Sequence, residues 1–234
     1  MGRQRGEDDA HRKQSKKHGK RVREVYVFAE GEVTEEEYAE IVREHGARGT
    51  PGLDVNCEFR TPRERKPMPM VEDAIDLARQ VRRAARKAKL KEHDERWPQV
   101  WCLFDCDQHK LVPEAMALAK RENIGVAYSH PCFEFWRLLH YQNYTSTFAT
   151  VCNSARDKLR GQDGFAKTYG PTFTRVDDNL VKHVRSGQLL GKYKQAKKYA
   201  KQINEQHHHP DPCKWDPYTG MWMFVEEALD ITDY

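Results

Sequence analysis

Between residues 24 and 141 the hydrophobic pattern switches period seven times, and the switching constrains the fold more than any other feature of the chain. REVYVFAEG is rich in β-branched and aromatic residues and stops at Gly31, which reads as a strand and turn. TEEEYAEIVREHG follows with Thr34 and Glu37 at capping-box spacing, acids in its first turn, an apolar stripe of Tyr38, Ile41 and Val42, and Gly46 at its end. LDVNCEFR alternates again. After a proline-rich break comes MVEDAIDLARQVRRAARKAKLKEH, whose Val71, Ala74, Ile75, Ala78, Val81 and Ala85 share one helical face. PQVWCLFDCD, PEAMALAKREN with Pro113 at its start, IGVAYSH and PCFEFWRLLHY complete the series. Four strands, each followed by a helix, predict a mostly parallel four-stranded sheet flanked by helices. Beyond residue 145 the segments at 146–161, 174–187, 189–207 and 219–234 all read as helical, so a helical extension over 142–234 is expected to pack on a core of 24–141. There are no internal repeats.

Charge is unevenly spread. Net charge is +4, yet residues 1–23 carry nine Lys or Arg against three acids, leaving −2 for the rest. This basic tail lacks periodicity and is expected to be disordered, either touching phosphates or solubilising the chain. No apolar run reaches the roughly 18–20 residues of a membrane span. The start of the chain has neither the apolar region of a secretory signal nor a myristoylation motif, so a cytoplasmic, reducing setting is expected. Six cysteines show no C-x-x-C pair, and Cys102 and Cys132 read as small buried hydrophobes. HHHPDPC at 207–213 lacks the ligand spacing of a zinc site.

The chemistry gathers at strand ends. In parallel sheets functional groups collect at the carboxyl edge. Glu30 ends the first strand, and Asp105 and Asp107 end the third, two like charges whose proximity costs free energy unless a cation or a set of donors neutralises them. Oxygen ligands of this kind suit Mg²⁺ or Mn²⁺. Cys106 should point to the opposite face. Glu134, at a helix start just past a strand end, is expected near the same edge. Glu35 either completes the site or simply matches the helix dipole, the latter being the simpler role. His140 reads as a hydrogen-bonded structural histidine rather than a proton shuttle.

AEGEVTEEEY at 29–38, FDCD at 104–107 and SHPCFEFWRLLH at 129–140 resemble the signature blocks of the RloB-like proteins, a family associated with anti-phage genes whose core is similar to the Toprim fold. The resemblance covers 24–141 and persists weakly to DPYTGMW at 216–222. Asp216 and His130 stand where the family more usually has Asn. The resemblance implies a Toprim-like sheet in which Glu30 acts as general acid or base or as a ligand, and Asp105 and Asp107 bind the divalent ion.

Two basic faces point to polyanions: Arg82, Arg83 and Arg86 within the 79–91 helix half, and Lys194, Lys197 and Lys198 interleaved with Tyr193 and Tyr199. Solvated helix faces are the plainer reading of each. With the acidic edge they make a metal-dependent nuclease the expectation; the resemblance implies a place in anti-phage defence, with RNA such as tRNA favoured over DNA by analogy, acting alone or with a partner protein of a defence system. A non-catalytic nucleic-acid-binding or regulatory subunit is the alternative, and primase-like nucleotidyl transfer a third. No P-loop is present, which counts against ATP hydrolysis.

Overall fold

The computed structural model describes residues 21–106, 109 and 111–234. The basic segment 1–20 and Asp107 lie outside the described residues, and Arg21–Arg23, read as tail, belong to the first strand. That strand, β1 (Arg21–Ala29), is followed by α1 (Thr34–His45), a short β2 (Ala47–Arg48), β3 (Leu53–Arg60), α2 (Pro67–Lys87), β4 (Gln99–Asp105), α3 (Val112–Arg121), β5 (Gly125–His130) and α4 (Phe133–Leu139). Strands β3, β1, β4 and β5 lie side by side in that order and all pair in parallel. The alternation read from sequence is therefore the architecture.

The sheet has five strands rather than four. The two residues of β6 (Tyr218–Thr219) add antiparallel to the end of β5, with Tyr218 opposite His130. A two-residue strand has no period to read, which is why it escaped the pattern. The 219–234 segment is likewise not one helix. A helical turn at Met221–Met223 widens into a π-turn at Phe224–Ala228, and Asp230 then adopts φ +57 and sends the chain into β7 (Ile231–Asp233), which pairs with β2. The Asp230 carboxylate accepts from the backbone N–H and hydroxyl of Thr50, so the turn is held by a contact 180 residues away.

Alternation along the strands divides the interior in two. Phe28, Val100, Cys102, Phe104 and Tyr128 face α2 and α3. Val25, Val27, Ala29, Trp101, Leu103 and Ala127 face α1, α4 and most of the C-terminal extension. In that extension α5 (Cys152–Arg160), α6 (Ser186–Leu189) and α7 (Tyr193–Asn204) are helical. The stretch 174–187, expected to be a helix, holds only a three-residue 3₁₀ turn before α6. There the Asp177 side chain accepts from the N–H groups of Asn179 and Leu180, a local bond that competes with helix continuation.

The expected capping box on α1 does not form: no side chain caps the helix, and Thr34 is already inside it. Glu37 reaches instead to the extension, where its carboxylate accepts from the Val184 N–H at 2.7 Å and pairs with His183 Nδ1 at 2.8 Å. Gly46 does end the helix, but with φ −78, so left-handed freedom is not what it supplies. A Cβ there would sit 2.6 Å from Ile231 Cγ2, and its smallness is what lets β7 dock.

Candidate active site: a carboxylate cleft at the carboxyl edge of the sheet

The first and third sequence strands lie side by side, as β1 and β4, so their terminal acids meet. The N–H of Glu30 continues the ladder to Leu103 O at 3.0 Å, and its carboxylate turns back to accept from the Asp105 N–H at 3.1 Å. Its other oxygen lies 3.1 Å from His109 Nε2. Arg65 Nη1 donates to the carbonyls of Ala29, Glu30 and Gly31, fixing the backbone from which Glu30 projects. Asp105 is the last residue of β4 and is partly buried. Cys106, the next residue, is buried in the opposite core, among the residues facing α2 and α3.

Two helix starts complete the cluster. Glu35, the second residue of α1, is 5% exposed, and its Oε2 has no hydrogen-bond partner among the described residues. A Cβ on Gly31 would collide with that carboxylate, so the glycine makes its approach possible. Glu134, in the first turn of α4, is 6% exposed and lies 3.6 Å from Arg156 Nε of α5. The four acids border one cleft of about 710 Å³, which Glu32, Thr150, Val151, Cys152, Asn153 and Arg156 also line.

Like charges and burial raise the cost of ionising this cluster. Burial first, then the charges of Glu30, Glu35 and Glu134, hold the Asp105 carboxyl well above the ordinary carboxylate range, opposed by the Phe133 N–H. Burial pushes Glu35 up to about 7; the charges of Glu134 and Glu30 add to the rise, and the backbone N–H groups of Glu35 and Gly31 oppose it. Oxygen donors of this kind are ones that could hold a hard cation. The one described group of His, Cys, Asp and Glu with ligand atoms all within 4.8 Å is Cys132, Glu134 and Cys152. Its two sulfurs are joined in a disulfide, which removes them as thiolate ligands.

Several placements were not legible. Glu35 faces the cleft rather than solvent, so its simpler helix-dipole role is incomplete. Cys132 is not a lone buried hydrophobe: its bond to Cys152 ties the N-terminus of α4 to that of α5. His109 stands in a polar stretch of sequence with no pattern to mark it. Ala149 and Thr150 both have positive φ, and the Asp216 carboxylate holds this loop through Thr147 Oγ1 and the N–H groups of Phe148 and Thr150. Asp216 also lies 3.8 Å from His130 Nε2, so the two departures from the usual family blocks face each other.

His140 is buried away from the cleft, with Nδ1 3.0 Å from Trp136 O and Nε2 2.9 Å from Tyr234 Oη. The basic faces are largely engaged. Arg82 donates to the carbonyls of Glu122 and Asn123 at the end of α3, and Arg86 pairs with Glu92. Lys194 pairs with Asp233, and Lys197 with Glu226. Arg83 and Lys198 are exposed. In the HHHPDPC stretch His207 Nε2 bonds Pro217 O, and His209 Nδ1 accepts from the Asp211 N–H.

Sheet and cleft together define an α/β protein with a mostly parallel, Toprim-like sheet and an acidic carboxyl edge. Within that class the chain belongs to the RloB-like family, whose model, described as RloB-like protein, matches residues 25–228. The match extends through the C-terminal extension, well past the region where the signature blocks are strongest. No curated protein and no solved structure matches the chain. Among the described residues, no helix is long and apolar enough to cross a membrane.

Proposed function

We propose that the chain is a divalent-cation-dependent nuclease, cutting phosphodiesters of a nucleic acid, with RNA such as tRNA favoured over DNA and a role in anti-phage defence. The observation that carries the reading is the convergence of Glu30, Glu35, Asp105 and Glu134, from two strand ends and two helix starts, on one cleft. The RNA and defence elements rest on the family resemblance alone.

Glu30 and Asp105 are the residues to hold Mg²⁺ or Mn²⁺, with Asp107, outside the described residues, as the third. When bound, such an ion polarises a phosphoryl oxygen and stabilises charge on the attacking or leaving oxygen. The chain's own residues do the rest. Glu35, poised to ionise at about 7, holds or gives up a proton at Oε2 near neutral pH, the range in which a general acid or base works best. Glu134 and Arg156 pair across the wall, and Lys182 adds a cation at the mouth to attract phosphate.

The test is cleavage of total tRNA and supercoiled plasmid by wild type and Asp105→Asn, in Mg²⁺, Mn²⁺ and EDTA. Cleavage by wild type that falls at least roughly a hundredfold in the variant and stops in EDTA is expected. Cleavage untouched by either change overturns the assignment. Salt-sensitive binding with no divalent-dependent cleavage identifies the regulatory-subunit alternative instead.

A further inference from the structure

The Cys132–Cys152 bond has no part in the cation chemistry proposed above, yet it is built into the lining of the same cleft. Cys132 immediately precedes α4 and is 2% exposed. Cys152 opens α5, is partly buried and lines the cleft. Its Sγ lies 3.7 Å from Glu134 Oε2 and 3.7 Å from Arg156 Nη2. The bond therefore crosses beside the Glu134–Arg156 pair, and each partner of that pair stands within about one helical turn of a bonded cysteine.

Between Phe148 and Ala155, both buried, the chain is weakly held. Ala149 and Thr150 adopt the left-handed conformation, at φ +51 and +60, which costs free energy in residues other than glycine. No described side chain caps α5, and the adjoining Val151 is 46% exposed rather than packed. The turn is kept in place by the Asp216 carboxylate, through Thr147 and the N–H groups of Phe148 and Thr150, and by the disulfide. Further along, Ala155 and Leu159 are fully buried, so opening the disulfide frees the turn without detaching the helix.

We propose that Cys152 is a site of thiol–disulfide exchange and that its bond to Cys132 is a reversible switch of the cleft. Formed, the bond fixes the start of α5 and holds Arg156 against Glu134. Opened, it releases the turn and lowers the activity of the site. Access selects the sulfur that reacts, since Cys132 is sealed in the core and Cys152 faces the cleft. The thiolate of a dithiol attacks Cys152 Sγ, the S–S bond breaks, and Cys132 leaves as a thiolate that takes up a proton. The second thiol of the dithiol then attacks the mixed disulfide, forming a cyclic disulfide and returning Cys152 as a thiol. Two electrons and two protons pass to the protein in all. A small disulfide such as oxidised glutathione drives the reverse. In reducing surroundings the pair rests as two thiols and the turn is loose; an oxidising shift assembles the cleft. The inference deepens the nuclease reading by giving that site its regulation, and rests on it only for the effect on activity.

The test compares the full chain in its oxidised and dithiothreitol-reduced states, and its first readout needs no cleavage. Amides of residues 149–154 should exchange with deuterium roughly tenfold or more faster in the reduced chain, with those of 136–140 unchanged. In Cys132→Ala, oxidised glutathione should add to Cys152, located by peptide mapping. In folded Cys152→Ala, Cys132 should stay unmodified. Divalent-dependent cleavage should be roughly tenfold lower in the reduced chain, and Cys132→Ala should stay low with or without oxidant. Equal exchange in the two states overturns the switch, as does a bond that dithiothreitol opens only on unfolding, or thiols that oxidised glutathione fails to join. Cleavage of equal rate in both states overturns it too. An exchange difference with no cleavage in either state keeps the switch and removes the nuclease reading.

Discussion

Helices α1 and α4 each contribute to two buried polar clusters, and the two clusters are opposites. From Glu35 and Glu134 they build the cleft, where charges of one sign crowd together and Glu35 Oε2 has no partner among the described residues. Two or three residues further on, Tyr38 and Trp136 build a closed ring of hydrogen bonds. Trp136 Nε1–H donates to Tyr38 Oη at 2.8 Å, and Tyr38 Oη lies 2.6 Å from Tyr234 Oη. Tyr234 Oη lies 2.9 Å from His140 Nε2, while His140 Nδ1 returns to Trp136 O. Every donor in the ring has an acceptor when His140 is neutral with its proton on Nδ1. A satisfied network stabilises a fold, and an unsatisfied one is tolerated where it does chemistry. The difference separates structure from function within single helices, which composition and spacing alone do not do.

The ring should be the more damaging place to cut. Trp136→Ala removes one of the largest fully buried side chains and leaves Tyr38 without its donor. The expected loss is about 3–5 kcal/mol in urea unfolding. A loss below about 1 kcal/mol would mean that the ring does not hold the two helices together.

His140 provides the next effect, through pH. Burial lowers its pKa from 6.5 to about 3. The unfolded chain therefore binds a proton that the folded chain refuses. Stability is complete above 6.5 and is lost as pH falls from there toward 3, by up to about 1.4 kcal/mol per pH unit from this group. Other groups contribute to acid unfolding, so the quantity to measure is the difference between wild type and His140→Gln. The variant should show a shallower decline between pH 6 and 4, and parallel curves would sink the assignment.

How much of this was open to sequence reading follows the physics of range. Period and turn chemistry act within a few residues, so the strand–helix alternation, the strand-end acids and the helical placement of Glu134 were all readable. What depends on chain far away was not. Glu37 looks like a capping residue until Val184, 147 residues on, captures its carboxylate. Asp230 ends the C-terminal helical turn because its side chain finds Thr50. Glu35 satisfies every local rule for a first-turn acid, and only the arrival of Asp105 and Glu134 beside it makes it part of the cleft. The lysines of α7 read as one basic face, yet Asp233 and Glu226 neutralise two of them.

The finest test of the contrast between the two clusters uses Glu35, whose pH effect must have the opposite sign to that of His140. Its carboxyl is raised from 4.5 to about 7, so here the folded state holds a proton that the unfolded state releases. Stability from this group is present below 4.5 and is lost as pH rises through 7. A divalent cation in the cleft favours the ionised, folded form and should reverse the loss, by an amount that grows with its concentration. Glu35→Gln removes the titration. In EDTA at pH 7.5 it should be as stable as wild type or more stable, by about 1 kcal/mol, and should show a smaller gain on adding Mg²⁺ or Mn²⁺. A destabilised variant with an unchanged response to the metal would show that Glu35 is held as firmly as the aromatic ring, and the distinction between the two clusters would fail. A stabilised variant that no longer gains from the metal would mean that the cleft keeps its acids together at the expense of the fold, for a ligand the sequence already anticipates at the ends of β1 and β4.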